Sequence, residues 1–152
     1  MIWLVLAGIL TGIDLGIKYY IRLNKTQDCH EPILNGKVII THFRNKGAML
    51  GFLKNKAKLL LGISLICIGA ILGMLLTVCG QKGNCLLKAG LTLLLGGAGS
   101  NVAERITGDG VTDYFKLNFG PKKLRHIVFN IGDFLIFIGA PLAAIGSMIR
   151  HE

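Results

Sequence analysis

Charge is scarce in this chain, and acid scarcer still. Of 152 residues only 16% are charged, against roughly 25% in an ordinary soluble domain, and only eight are Asp or Glu. Proline occurs three times and tryptophan once. With 52% hydrophobic residues the composition excludes disorder, and it has neither the collagen period nor the cysteine density of a secreted disulfide scaffold. The four cysteines, Cys29, Cys67, Cys79 and Cys85, contain no CxxC pair. Cys29, His30 and His42 offer suitable atoms for zinc but no recognisable ligand spacing, so no metal or other cofactor is expected.

What is present is apolar, with a mean hydropathy of +0.60, and it comes in unbroken blocks rather than at the periods of a soluble core. The 21 residues from Leu59 to Cys79, LLLGISLICIGAILGMLLTVC, carry no charge. About 20 residues of helix cross the ~30 Å hydrocarbon layer, so this segment predicts a transmembrane helix. Three further blocks contain few charges: Met1–Ile21 with Asp14 and Lys18, Leu86–Ala103 with Lys88, and Ile127–Met148 with Asp133. The first lacks a basic leading region and a small-residue cleavage site, and it reads as a retained helix rather than a signal peptide.

Four spans, about 1–21, 59–79, 86–103 and 127–148, predict a single four-helix membrane domain over residues 1–152. They leave two long connections, Arg22–Lys56 and Glu104–His126, which an even number of crossings places on one side. Gly80–Cys85 is a tight turn on the other. Gly8, Gly12 and Gly16 in the first span, and Gly69 and Gly73 in the second, recur about one helical turn apart, a spacing that suits close helix packing in lipid. The two glycines Gly96 and Gly97 suit packing rather than a phosphate cradle, since no strand precedes them.

The formal charge is +9, yet the basic residues of so hydrophobic a chain meet lipid head groups more plausibly than nucleic acid, which is not expected as a partner. Lys and Arg number seven in Arg22–Lys56 and five in Glu104–His126, against three (Lys82, Lys88, Arg150) opposite. By the positive-inside rule the long connections would face the cytoplasm.

An ionised group in a bilayer costs roughly 2.5–3.5 kcal/mol even on the lenient insertion scale, so Asp14, Asp113 and Asp133 need explaining. The crossing count puts Asp14 toward the end of the first span, Asp113 just beyond the third and Asp133 in the first turns of the fourth, all near one membrane face. Asp113 and Asp133 can therefore meet. Two carboxylates in contact share one proton, and such a pair activates water for attack on a carbonyl. Simpler readings remain beside this one: Asp133 capping its helix, Asp113 an ordinary loop acid, and Asp14 with Lys18 an intrahelical ion pair at i and i+4.

Four segments carry a resemblance. GIDLGIK (Gly12–Lys18), FRNKGAMLGFL (Phe43–Leu53), LGGAGSNVAERITGDGVTDYF (Leu95–Phe115) and FNIGDFLIFIG (Phe129–Gly139) resemble, in order and spacing, the blocks of the lipoprotein signal peptidases, or signal peptidase II. The resemblance spans all four helices. It implies a four-helix aspartic peptidase of the bacterial plasma membrane that removes the signal peptide just before a diacylglyceryl-modified cysteine. It would make Asp113 and Asp133 the catalytic pair, with Asp14, Asn45, Gly47, Asn101, Arg105 and Asn130 positioning substrate and backbone. Asn45 and Gly47 match the NxGA motif, Asn101 and Arg105 the polar pair of the third helix, and Asn130 precedes the second acid. The chemistry fits, since amides both donate and accept, and Arg105 presents a fork of donors able to tie down a connection. The partners implied are the lipid-modified prolipoprotein and membrane lipids, with the protein a monomer.

The chain departs from the family pattern in places. GGAxGNxxDR appears as GGAGSNVAER, with Ser100 for glycine and Glu104 for aspartate; FNxAD has Gly132 for alanine; GAAFG reads GAMLG, with Met49 and Leu50. The family orientation, with the active site outward, opposes the charge count and is the one adopted. The fold expected is thus an all-α integral membrane protein with a small extracytoplasmic β element and an interfacial loop. KVIITHF (Lys37–Phe43) predicts a strand, Phe43–Leu53 a return across the mouth, and Tyr114–His126 an interfacial flap. A small membrane transporter or assembly factor using the same acids for protons or cations is the alternative, and an inactive relative that still binds lipoprotein precursors a third reading.

Overall fold

The computed structural model describes residues 1–47, 56–108 and 110–149. In chain order it contains α1 (Ile2–Asn24), β1 (Glu31–Ile33), β2 (Val38–Asn45), α2 (Ala57–Cys79), α3 (Cys85–Ile106), β3 (Val111–Leu117), a short α4 (Lys122–Arg125), β4 (Val128–Phe129) and α5 (Ile131–Met148). Among the described residues α1, α2, α3 and α5 are long and apolar enough to cross a membrane. Large apolar side chains such as Ile9, Ile13, Leu65, Ile66 and Ile138 point outward from them, as lipid-facing side chains do. Two boundaries differ from expectation. The first helix runs on to Asn24, which leaves Asp14 near its middle rather than toward its end, and α5 starts at Ile131 because Val128 and Phe129 pair as a strand.

The β element is larger than predicted. It is a four-stranded antiparallel sheet in the order β1-β2-β3-β4, with β1 and β2 from the first long connection, β3 from the second and β4 from the start of the expected fourth span, so both connections lie on one side of the bundle. The segment expected to be a flap supplies, from Tyr114 to Leu117, the second half of the inner strand β3, which is buried on both faces from Val111 to Tyr114. On β2 the strand continues through Phe43 to Asn45 instead of turning back; the rest of that expected return, including Met49 and Leu50, lies outside the described residues. The β2–β3 register slips between Ile40 and Phe43, after which Phe43 faces Asp113 and Asn45 faces Val111. Gly110, at φ +84°, allows the chain to turn from α3 into β3, where a Cβ would come within 2.6 Å of the Asn45 carbonyl oxygen.

Aromatic packing seats the sheet on α5. Phe115 stacks on Phe134 with centroids 5.0 Å apart, and Phe129 meets Phe134 and Phe137 edge-on at 5.6 and 6.2 Å. Such pairs contribute about 0.5–1.5 kcal/mol beyond their area, and here they tie β3 and β4 to the first turns of α5. Below the sheet, α3 is the central helix and packs on α1, α2 and α5.

Of the glycines that the sequence assigns to packing, Gly96 and Gly97 do pack closely, Gly96 against Leu10 of α1, and the others do not. Gly8, Gly12, Gly16, Gly69 and Gly73 have open space where a Cβ would stand. Further close contacts lie between α3 and α5, where Gly90 meets Ala143, Gly97 meets the Gly132 carbonyl, and Gly139 and Gly146 meet the backbone near Gly90 and Leu87. The glycines of α5 recur every seven residues, the period that keeps one seam facing a neighbouring helix. At the far end Lys88, 5% exposed, donates from Nζ to the carbonyls of Gln81 (2.5 Å) and Gly83 (2.8 Å), closing the tight α2–α3 turn.

Candidate active site

Asp113 and Asp133 arrive from different elements at one place. Asp113 stands on β3 and is 2% exposed; Asp133 is the third residue of α5 and half-buried. The pairing Phe115↔Phe129 brings β4 alongside β3, and the chain turns into α5 straight after, so the second acid lands beside the first. Both line a cavity of about 30 Å³ with Asn45, Arg105, Val111 and Val128, large enough for one or two waters.

Asn130 joins the two acids. Its Nδ2 donates to Asp113 Oδ1 at 2.7 Å and its backbone N–H donates to Asp133 Oδ2 at 3.1 Å. Its own Oδ1 accepts from the Asp133 backbone N–H at 2.9 Å, which completes a reciprocal cap on α5. The capping reading of Asp133 is therefore correct, and its Oδ1 still accepts from Asn101 Nδ2 at 3.1 Å. The second oxygen of Asp113 accepts from Asn45 Nδ2 at 3.0 Å, while Gly47 N–H donates to Asn45 Oδ1 at 3.0 Å. Burial, followed by the neighbouring charge of Asp133, pushes the Asp113 pKa up to about 7 against the pull of the Asn45 and Asn130 donors.

Asp14 does not reach this cavity. It is fully buried behind it, where its carboxylate accepts from Lys18 Nζ (2.9 Å), Ser100 Oγ (2.5 Å) and Tyr114 OH (2.9 Å). Tyr114 OH also accepts from Ile131 N–H at 3.0 Å, tying β3 to the start of α5, and burial together with Asp14 pushes the phenol pKa up so that it stays a donor. Glu104, 4% exposed, accepts from the Thr112 backbone N–H and hydroxyl, both at 2.7 Å, and from Arg44 at 3.2 Å. That anchors β3 one residue before Asp113. Arg105, expected to tie down a connection, makes no hydrogen bond to a described residue; it lines the small cavity and a wider one of about 350 Å³. Ala57, Leu60, Leu61 and Ile106 wall the wider cavity, with Lys46 and Lys58 at its edge.

The described residues hold no cluster of three or more His, Cys, Asp or Glu, and this includes Cys29, His30 and His42. Tyr114, Thr112, Glu104 and the wider role of Lys18 were not read from sequence as site residues. The alternation of a strand at Val111–Leu117 was the available signal, since it turns Tyr114 to the face opposite Asp113.

A family model described as Signal peptidase (SPase) II matches residues 6–149. The chain belongs to the signal peptidase II family. Its relatives include lipoprotein signal peptidases of Moorella thermoacetica (31% identical, covering 91% of this chain and 87% of that protein), Bacillus pumilus (30%; 98% and 94%) and Maridesulfovibrio salexigens (32%; 97% and 97%). A solved bacterial membrane enzyme superposes with a TM-score of 0.80 at 25% identity over 96% of this chain and 87% of that one. As a signal peptidase II the chain is a peptidase and a multi-pass bacterial membrane protein, and the transport alternative is not favoured.

Proposed function

We propose that Asp113 and Asp133 are the catalytic pair of an aspartic endopeptidase, with the small cavity between them holding the attacking water. Membership of the family makes the chain a lipoprotein signal peptidase. The observation that carries the catalytic reading is the shared cavity and the Asn130 link, which hold two acids where one proton suffices for both. With its raised proton affinity Asp113 is the acid near neutral pH and Asp133 the base. Asp133 takes a proton from the water as its oxygen attacks the scissile carbonyl, and the Asp113 proton is donated toward the developing oxyanion. Collapse of the tetrahedral intermediate breaks the C–N bond, and the amine leaves with the proton held by Asp133.

The substrate is a prolipoprotein cut before its diacylglyceryl-modified cysteine. The wider cavity beside the site has apolar walls for the acyl chains and shares Arg105 with the catalytic cavity. β1 pairs with β2 only at Val38–Ile40, so the Phe43–Asn45 end of β2 offers a backbone edge to an extended peptide. Asn45, Gly47, Asn101, Asn130 and Asp14 support the pair, and Arg105 faces the substrate. One chain supplies every element of the site, in keeping with a monomer surrounded by membrane lipids, and the site faces the extracytoplasmic side. Purified protein incubated with a diacylglyceryl-modified precursor should release the signal peptide, whereas Asp113→Asn and Asp133→Asn should be inactive though folded; cleavage by either variant would reject the pair.

A further inference from the structure

Three asparagine amides face the two acids, and an amide can be reversed with little change of shape but a full change of polarity. For two of them the backbone settles the orientation. Gly47 N–H occupies Asn45 Oδ1 and Asp133 N–H occupies Asn130 Oδ1, so each Nδ2 is left for Asp113. Asn101 differs: its Oδ1 accepts from Lys18 Nζ at 2.7 Å, and its Nδ2 donates to Asp133 Oδ1 at 3.1 Å.

Lys18 is fully buried. An ammonium has three N–H donors, and three acceptors lie within hydrogen-bond reach: Asp14 Oδ2 (2.9 Å), Ser100 Oγ (2.8 Å) and Asn101 Oδ1 (2.7 Å), with Glu104 Oε2 beyond them at 3.6 Å. Ser100 gives its single proton to Asp14 Oδ2, so a lone pair is what it turns to Lys18. Three donors set against three acceptors from α1 and α3 leave the ammonium one orientation. Without the serine hydroxyl one N–H is orphaned in a buried site, and Glu104 becomes the nearest further acceptor.

We propose that Lys18 and Ser100 are positioning residues for the reaction, holding the Asn101 amide with its N–H2 toward Asp133. The proposal rests on Asp133 being one of the catalytic pair. Reversing the amide would set its oxygen against the carboxylate and replace a charge-assisted hydrogen bond by repulsion. Neither Lys18 nor Ser100 lines the small or the wider cavity, so the effect belongs in turnover and not in substrate affinity.

The test is cleavage of a diacylglyceryl-modified precursor by Lys18→Met, Ser100→Ala, Asn101→Ala and the Ser100→Ala/Asn101→Ala double variant, below their unfolding temperatures. Ser100→Ala and Lys18→Met should lower kcat about tenfold or more with KM changed by no more than about twofold. Ser100→Ala should cost nothing further once Asn101 is alanine, because the serine acts through that amide. Full kcat in folded Ser100→Ala, or losses that simply multiply in the double variant, would overturn the proposal. Should Lys18→Met not fold, the Ser100 and Asn101 variants decide alone. Asp113→Asn and Asp133→Asn run in parallel, and cleavage by either of those overturns the catalytic pair instead, whatever Ser100→Ala does.

Discussion

Asn130 Nδ2 donates to Asp113 Oδ1 at 2.7 Å across the gap between β3 and α5, from a residue that also begins the helix carrying the other acid. One side chain thus fixes both the α5 cap and the spacing of the pair. Losing an N-cap costs about 1 kcal/mol, and losing a hydrogen bond to a charged group about 1.5–3 kcal/mol. Asn130→Ser separates the two, since serine caps a helix well but is too short to reach Asp113. It should keep the cap, losing only the stability of the buried Asp113 hydrogen bond, about 1–3 kcal/mol, while turnover falls by about tenfold or more. Parent-like turnover in Asn130→Ser would reduce Asn130 to a cap.

Asp113 makes both activity and stability depend on pH. Its pKa rises from 3.8 to about 7 on folding, so between those values the folded chain binds more protons than the unfolded one. Its contribution to stability is therefore largest below the ordinary carboxylate range and is lost as pH rises through about 7. Turnover should also decline above pH about 7, as the acid of the pair loses its proton. Thermal unfolding of parent and Asp113→Asn across this range checks the first effect: the variant should lose the decline that belongs to Asp113. A kcat profile rising steadily beyond neutrality would contradict the second.

The spans, their order and the meeting of two acids were legible because hydrocarbon thickness dictates block length and an even crossing count dictates sidedness. Details set by pairing were not. Val111–Leu117 carries the alternation of a strand, but its Asp and Lys hide which neighbours pair with it until β2 and β4 lie beside it, and the glycine spacing of α1 gives no sign of which neighbour, if any, it faces. Asp14 and Lys18 show the same limit. Their i and i+4 spacing predicts the ion pair observed, yet nothing local indicates that Ser100, Asn101 and Tyr114 converge on it from 82 or more residues away.

Orientation can be tested with the native cysteines. Cys29 lies on the sheet side between α1 and β1, and Cys85 at the opposite turn, where α3 begins. Part of the basic excess beside the sheet is engaged within the fold, Arg22 and Arg44 with Glu104 and Lys25 with Glu31, which weakens it as a topological signal. In intact cells an impermeant maleimide should label a variant retaining only Cys29 and spare one retaining only Cys85. The opposite pattern would place the site in the cytoplasm.

Two departures from the family pattern touch the same oxygen. Ser100, set against the glycine usual in the resembling pattern, donates to Asp14 Oδ2 at 2.5 Å; Gly132, set against its usual alanine, would bring a Cβ to 2.9 Å from that same atom and from the Gly97 carbonyl. A group added on α3 is thus matched by one removed from α5 across a buried carboxylate. Gly132→Ala alone should destabilise by about 1–3 kcal/mol, the usual cost of overpacking. Adding Ser100→Gly frees Asp14 to move toward α3, so the double variant should lose less stability than the two single losses together, and thermal unfolding of all four proteins measures the difference. Strict additivity would mean that the helix backbone at Gly97, rather than Asp14, sets the limit at position 132, and that the two departures are independent.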